Sequence, residues 1–80
     1  MVTIKVGLKL YGNLRRYADG RREHTEHEIP QGATVHDLLT LLDIPEQAWW
    51  MIAVNDGVTT AQHVLKENDL VEVFEPVGGG

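Results

Sequence analysis

The residue types that could do chemistry in this chain are few, and they gather at its end. There is no cysteine, which removes thiol nucleophiles, thiolate metal sites and any disulfide framework. Of four histidines, only His24 and His27 fall close together. That spacing on an edge strand could serve a metal, but no third ligand is evident, so a solvated face is the favoured reading. What remains is the final stretch, Phe74-Glu75-Pro76-Val77-Gly78-Gly79-Gly80. Glycine loses the most backbone entropy on ordering, so three in a row do not make a packed end. They make a thin, pliable thread that can pass through a narrow slot or lie close against another backbone. The thread ends in the Gly80 carboxylate, which no side chain crowds. Extended from Val77, it reaches roughly 13 Å beyond Pro76. A frayed terminus or a vector-derived remnant is the competing reading of the same residues.

Composition narrows what can hold such a thread. Eighty residues suffice for one small domain with a thin core, without the help of disulfides or metals. At 42 % hydrophobic and 24 % charged, the chain is globular in type. No apolar run approaches the length of a membrane span. Strand-like sequence follows Met1 directly and leaves no room for a signal peptide, so a soluble cytoplasmic protein is the expectation.

The net charge of −5 is unevenly spread. Residues 1–36 hold six Lys and Arg against four acids, a balance of +2, whereas residues 37–80 hold Lys66 against eight acids, a balance of −7. The acidic half argues against a nucleic-acid backbone. It suits a partner with a basic face, with Glu72 and Glu75 as steering charges, or it serves solubility alone. Arg15, Arg16, Arg21 and Arg22 read as a solvated basic loop, with a phosphate or acidic partner as the alternative.

The elements that must position the tail follow from periodicity. Val2, Ile4, Val6, Leu8 and Leu10 alternate with polar residues, which predicts a half-buried strand. Tyr11-Gly12-Asn13 is turn chemistry, and one helical turn over Leu14–Ala18 follows. A weaker strand over Glu23–Ile29, poorly alternating and charged, suits a sheet edge. Thr34 and Asp37 mark a helix start, and Val35, Leu38, Leu39 and Leu42 share its apolar face. Pro45 stops that helix by restricting Ile44. Ile52 and Val54 lead into Asn55-Asp56-Gly57, a hairpin signal, and then into Val58-Thr59-Thr60. The last strand is Leu70–Phe74. Of Trp49 and Trp50, one is expected in the core and the other exposed; Phe74 is open between core and interface.

Two hairpins flanking one helix, with the most apolar strands first and last, predict an α+β fold. A mixed sheet of four or five strands is covered on one face by one main helix, and the two apolar strands lie together at its centre. This is the β-grasp, or ubiquitin-like, layout. Residues 1–75 form the domain and residues 76–80 a flexible tail.

At this point the chain resembles the MoaD/ThiS family of ubiquitin-like sulfur carriers. The resemblance rests on Val6-Gly7-Leu8-Lys9-Leu10-Tyr11 with Leu14-Arg15, and on Gly32-Ala33-Thr34-Val35-His36-Asp37-Leu38-Leu39. Ala53-Val54-Asn55, Asn68-Asp69-Leu70-Val71 and Phe74–Gly80 complete it, all in the family's order. Residues 11–30 are most similar to the MoaD-like branch, the small subunit of molybdopterin synthase. Glu75 stands where that branch commonly has a second proline, and Gly78 where it commonly has alanine.

The resemblance implies that Gly80 is adenylated by an E1-like enzyme (MoaB/MoeB/ThiF type) using ATP and becomes a thiocarboxylate. Gly79, Gly78, Val77, Pro76 and Phe74 would then contact that partner. A large subunit of molybdopterin synthase is a further implied partner. No metal or permanently bound cofactor, nucleic acid or membrane is implied, and the chain is a carrier rather than an enzyme. Carriers for thiamin or tRNA thiolation, and modifiers conjugated through Gly80 to lysine, share the ending and stay open.

Overall fold

The structure, a computed structural model, describes residues 2–18, 23–49 and 51–75. The expected glycine tail, Trp50 and the Arg21-Arg22 half of the basic run lie outside the described residues.

The alternating N-terminal run forms β1 (Thr3–Leu10), in which Ile4, Val6, Leu8 and Leu10 are all buried. One side of β1 pairs antiparallel with β2 (His24–Pro30), and the other pairs parallel with β5 (Leu70–Phe74). β5 also pairs antiparallel with β3 (Met51–Val54), which turns back into β4 (Gly57–Thr59). The five-stranded order is β2-β1-β5-β3-β4. The two most apolar strands therefore share the centre, as their composition predicts, and charged β2 is an edge. Pro30, at the end of that edge strand, sits where a missing N–H is tolerated.

Helix α1 (Val35–Leu41) covers one face of the sheet with Val35, Leu38 and Leu39 buried. Its start is a closed capping box. The Asp37 N–H donates to Thr34 Oγ1 at 3.2 Å, and the Thr34 N–H donates to Asp37 Oδ2 at 2.9 Å. Asp is thus long enough to return the bond that Glu usually makes. The Thr34 N–H, backed by its hydroxyl, holds the Asp37 carboxyl below the usual carboxylate range. The helix ends one residue before the expected Leu42, which is its cap and still packs against the core. Asp43, left-handed at φ 60, turns the chain away.

The next two stretches lock the sheet to the helix. Asn55 and Asp56 are both left-handed, at φ 51 and 71, which is the backbone a tight two-residue hairpin needs. Asn55 then clips that hairpin to β5. Its N–H donates to the Leu70 carbonyl at 2.9 Å, its side-chain carbonyl accepts from the Leu70 N–H at 2.9 Å, and its amide donates to Asp69 at 2.8 Å. The irregular crossing at 61–65 serves α1: the Val35 and His36 N–H groups donate to the carbonyls of His63 and Ala61. Helix N–H groups that have no partner inside the helix are satisfied that way.

Leu39 is fully buried while Leu41, on the same helix, is 63 % exposed. Leu39→Ala is expected to cost about 2–5 kcal/mol, and Leu41→Ala less than about 0.5 kcal/mol. Urea denaturation of the two variants checks both; equal losses would mean the buried face is misassigned.

Candidate functional site

The register of the two central strands builds the root of the tail. Leu10 lies opposite Val73, so the next residues on each strand, Tyr11 and Phe74, come side by side. Their rings stack, with centroids 4.9 Å apart and planes within 10°. The Tyr11 N–H donates to the Val73 carbonyl at 3.4 Å, and its hydroxyl donates to Glu72 Oε2 at 2.5 Å. That hydrogen bond, helped by burial and by the charges of Glu72, Glu23 and Asp56, pushes the Tyr11 phenol up to about 12. A phenol that already donates to a carboxylate gives up its proton reluctantly.

One residue on, Gly12 turns left-handed at φ 63 into a 3-10 helix over Gly12–Tyr17. Leu14 anchors that helix, buried in the core. The Asn13 N–H donates to Glu75 Oε1 at 3.1 Å, and a Cβ built on Gly12 would overlap the Glu75 carboxylate. The last described residue, Glu75, is thus folded back onto the turn that follows β1.

The same registers compose the sheet face turned away from α1. Lys9, Glu72, Ala53 and Val58 stand in one row, and Tyr11, Phe74 and Met51 stand beside it. Leu70 lies opposite Gly7, where a Cβ would press His24 Nε2 and Leu70 Cδ1 at 3.1 Å. This outer face sets half-buried Tyr11, Met51, Leu70 and Phe74 and exposed Val58 around Lys9 and Glu72, and it continues into the tail root. Such a face suits a protein partner: aromatic and aliphatic groups supply contact area, and Glu72 supplies a point of polar recognition.

The expected site residues separate clearly. Phe74 is half-buried on the outer face, so it belongs to the candidate surface and not to the core. Pro76, Val77, Gly78, Gly79 and Gly80 lie outside the described residues. His24 and His27 do not come together. His24 lies opposite Lys9 on the outer face, whereas His27 lies opposite buried Val6. His27 instead bonds Thr25 Oγ1 at 2.7 Å, and burial lowers its pKa. Among the described residues no three ligating side chains gather as a metal site. The Arg16 guanidinium donates to the Tyr17 hydroxyl at 3.2 Å and lies 5.1 Å from that ring's centre, so it is engaged locally. Trp49 packs against the core, with its indole N–H donating to the Ile44 carbonyl at 3.4 Å.

Tyr11 and Gly12 are the residues that sequence reasoning passed over, as ordinary turn chemistry. The available signal was an aromatic at an outward position of the β1 alternation.

The ThiS family model matches residues 8–80. Among curated proteins none matches significantly. Among solved structures, a Pyrococcus furiosus protein described as molybdopterin converting factor, subunit 1, is 31 % identical with a TM-score of 0.71; 92 % of this chain and 99 % of that chain are covered. SAMP1 from Haloferax volcanii shares the fold at 20 % identity and a TM-score of 0.74, with 95 % and 99 % covered. So does the chain matched in a Helicobacter pylori complex of subunits 1 and 2 of molybdopterin-converting factor, at 20 % identity and a TM-score of 0.62, with 96 % and 100 % covered.

The Tyr11–Glu72 bond carries a pH signature. With the phenol raised to about 12 in the folded protein against about 10 unfolded, its contribution to stability is complete below pH 10. It is lost as pH rises through the folded value. Ultraviolet titration is expected to show one tyrosine ionising late, and Tyr11→Phe should remove that step. A late step that survives Tyr11→Phe would overturn the assignment.

Proposed function

The chain belongs to the ThiS family, and from that premise we propose that it is a ubiquitin-like sulfur carrier loaded at Gly80. The observation that carries the reading is continuity. The family match runs through residue 80, and the central strand β5 delivers the chain into Pro76-Val77-Gly78-Gly79-Gly80. The domain's part is recognition and presentation, and the chemistry belongs to a partner.

That division follows from the reactivity of a carboxylate. Its carbonyl carbon is a poor electrophile until one oxygen becomes part of a good leaving group. An adenylating partner supplies the leaving group: the Gly80 carboxylate attacks the α-phosphorus of ATP, pyrophosphate departs, and the carboxylate is joined to AMP. The outer sulfur of a persulfide donor then attacks the carbonyl carbon and expels AMP, giving an acyl disulfide. A thiol reductant cleaves its S–S bond to release the thiocarboxylate. Water must be kept from the adenylate, which calls for a closed site. Only a chain without side chains threads such a site, and Gly79 and Gly80 meet that need. The outer face around Tyr11, Phe74 and Glu72 is the docking surface in this reading, because it adjoins the tail root.

The finer assignment is sulfur supply to molybdopterin synthesis, with a large synthase subunit as second partner. The relative at 31 % identity, which is described as molybdopterin converting factor, subunit 1, supports it over its full length.

The test is direct. Incubated with the adenylating enzyme of its own source genome, ATP, a persulfide donor and a thiol reductant, the protein should gain the mass of one oxygen-to-sulfur exchange. Peptide mapping should place it on Gly80; with no cysteine in the chain, no other side chain takes up sulfur by disulfide exchange. Deleting Gly80 should abolish the gain, and Gly79→Val should nearly do so by obstructing the slot and stiffening the backbone. Both variants should keep the parent Tm. Uptake of sulfur by the truncated protein would end the carrier reading. Higher-mass lysine adducts without thiocarboxylate would replace it with a modifier.

A further inference from the structure

Among the described residues, backbone pairing in β5 runs out at Phe74, which lies opposite Met51. Toward β1, the last bond joins the Tyr11 N–H to the Val73 carbonyl. Beyond these, the one recorded tie on the described chain is the Glu75 side chain on Asn13. Pro76 follows, and it restricts Glu75 to extended backbone. Wherever Glu75 is held, the outgoing chain is therefore aimed.

Residue 12 makes room for this contact. At four other left-handed positions, with φ between 51 and 71, the chain uses Asp43, Asn55, Asp56 and Asn68. Asn and Asp tolerate that backbone. At φ 63, residue 12 is glycine instead, and the space its Cβ would need is filled by the Glu75 carboxylate. The backbone conformation alone does not demand glycine there. Glycine leaves that space open to the Glu75 side chain.

We propose that Glu75 is a positioning residue: seated over Gly12 and accepting from the Asn13 N–H, it fixes the direction in which the tail leaves the sheet and so presents Gly80 to the activating site. This rests on the sulfur-carrier reading above. Glu75 is then not chiefly a charge that steers association. The two roles differ in chemistry, because aiming needs an acceptor oxygen at that place and steering needs a negative charge. Glu75→Gln keeps the acceptor and loses the charge; Glu75→Ala loses both.

Two readouts decide it. In the free protein, a nitroxide at Val77→Cys would be the sole thiol-attached label, since the chain has no cysteine. With Glu75 intact, amide broadening should be confined to one side of the tail root, and Glu75→Gln should reproduce that map. Glu75→Ala should spread the broadening to both sides and shift the Asn13 amide. In thiocarboxylate formation with the adenylating enzyme of the source genome, ATP, a persulfide donor and a thiol reductant, Glu75→Gln should stay within about twofold of the parent. Glu75→Ala should lower kcat about 2–10-fold at unchanged KM, the worth of one surface hydrogen bond.

Identical maps for all three proteins would overturn the proposal. So would matched, salt-dependent rises in KM for both variants, the mark of a steering charge. If the maps behave as expected but even the parent takes up no sulfur, the carrier reading fails. The presenting role then falls with it, while the seat of Glu75 stands.

Discussion

Everything in this molecule hangs on the parallel pairing of β1 with β5. It joins residues 7–10 to residues 70–73, nearly the full length of the chain apart. Closing so long a loop costs entropy before any contact returns it, and the apolar content of the two strands meets that cost. Leu8, Leu10, Val71 and Val73 are fully buried at the seam. Once the seam is in register, the peripheral features need no separate instruction. The turn after β1 falls beside the end of β5, Tyr11 meets Phe74, and Gly12 receives Glu75. A slip of one residue would turn the buried side chains outward and dismantle the tail root with them.

This dependence explains which parts of the structure were legible in the sequence. Features written within one segment read directly. The alternation of Ile4 through Leu10 gave β1, Thr34 with Asp37 gave the helix start, and Asn55-Asp56 gave the hairpin. The edge position of β2 followed from its charges. Features that need two segments in register did not read. Periodicity says that Tyr11 points outward from β1 but not that Phe74 lies beside it. The Asn55 clip to Asp69 and Leu70 joins two short motifs that had only been noted in order. For the candidate site, the residues themselves left Phe74 open between core and surface and missed Tyr11, Gly12 and the seat of Glu75. Those three acquire meaning only through the parallel register.

The acidic second half also looks different once the contacts are known. Of its eight carboxylates, four accept from a backbone N–H: Asp37 from Thr34, Glu67 from Lys5, Asp69 from Lys66 and Glu75 from Asn13. Glu72 accepts from the Tyr11 hydroxyl, and Glu46 lies 3.4 Å from His36 Nε2. These acids tie down turns, the helix start and strand junctions, where N–H groups would otherwise lack partners. Local structure calls for acceptors at such places, and short carboxylates supply them without further design. The negative balance is then partly a by-product of how the backbone is satisfied.

That by-product still acts at a distance. Of these six carboxylates, Asp37, Glu46 and Glu67 are exposed and the other three half-buried, so the half of the molecule that carries β5 keeps a negative field. A partner with a basic face would feel that field during approach, before any side chain is in contact. The two functions separate by range. Summed charge governs encounter and fades with salt within about 10 Å at 0.1 M. The local bonds of Glu72 and Glu75 act only at contact, where they hold the aromatic pair and the strand end in place. A charge change at an acid with no partner among the described residues, such as Asp43 or Asp56, would alter encounter alone. The same change at Glu72 or Glu75 would alter encounter and geometry together, which is why charge reversal by itself cannot resolve the role of either residue.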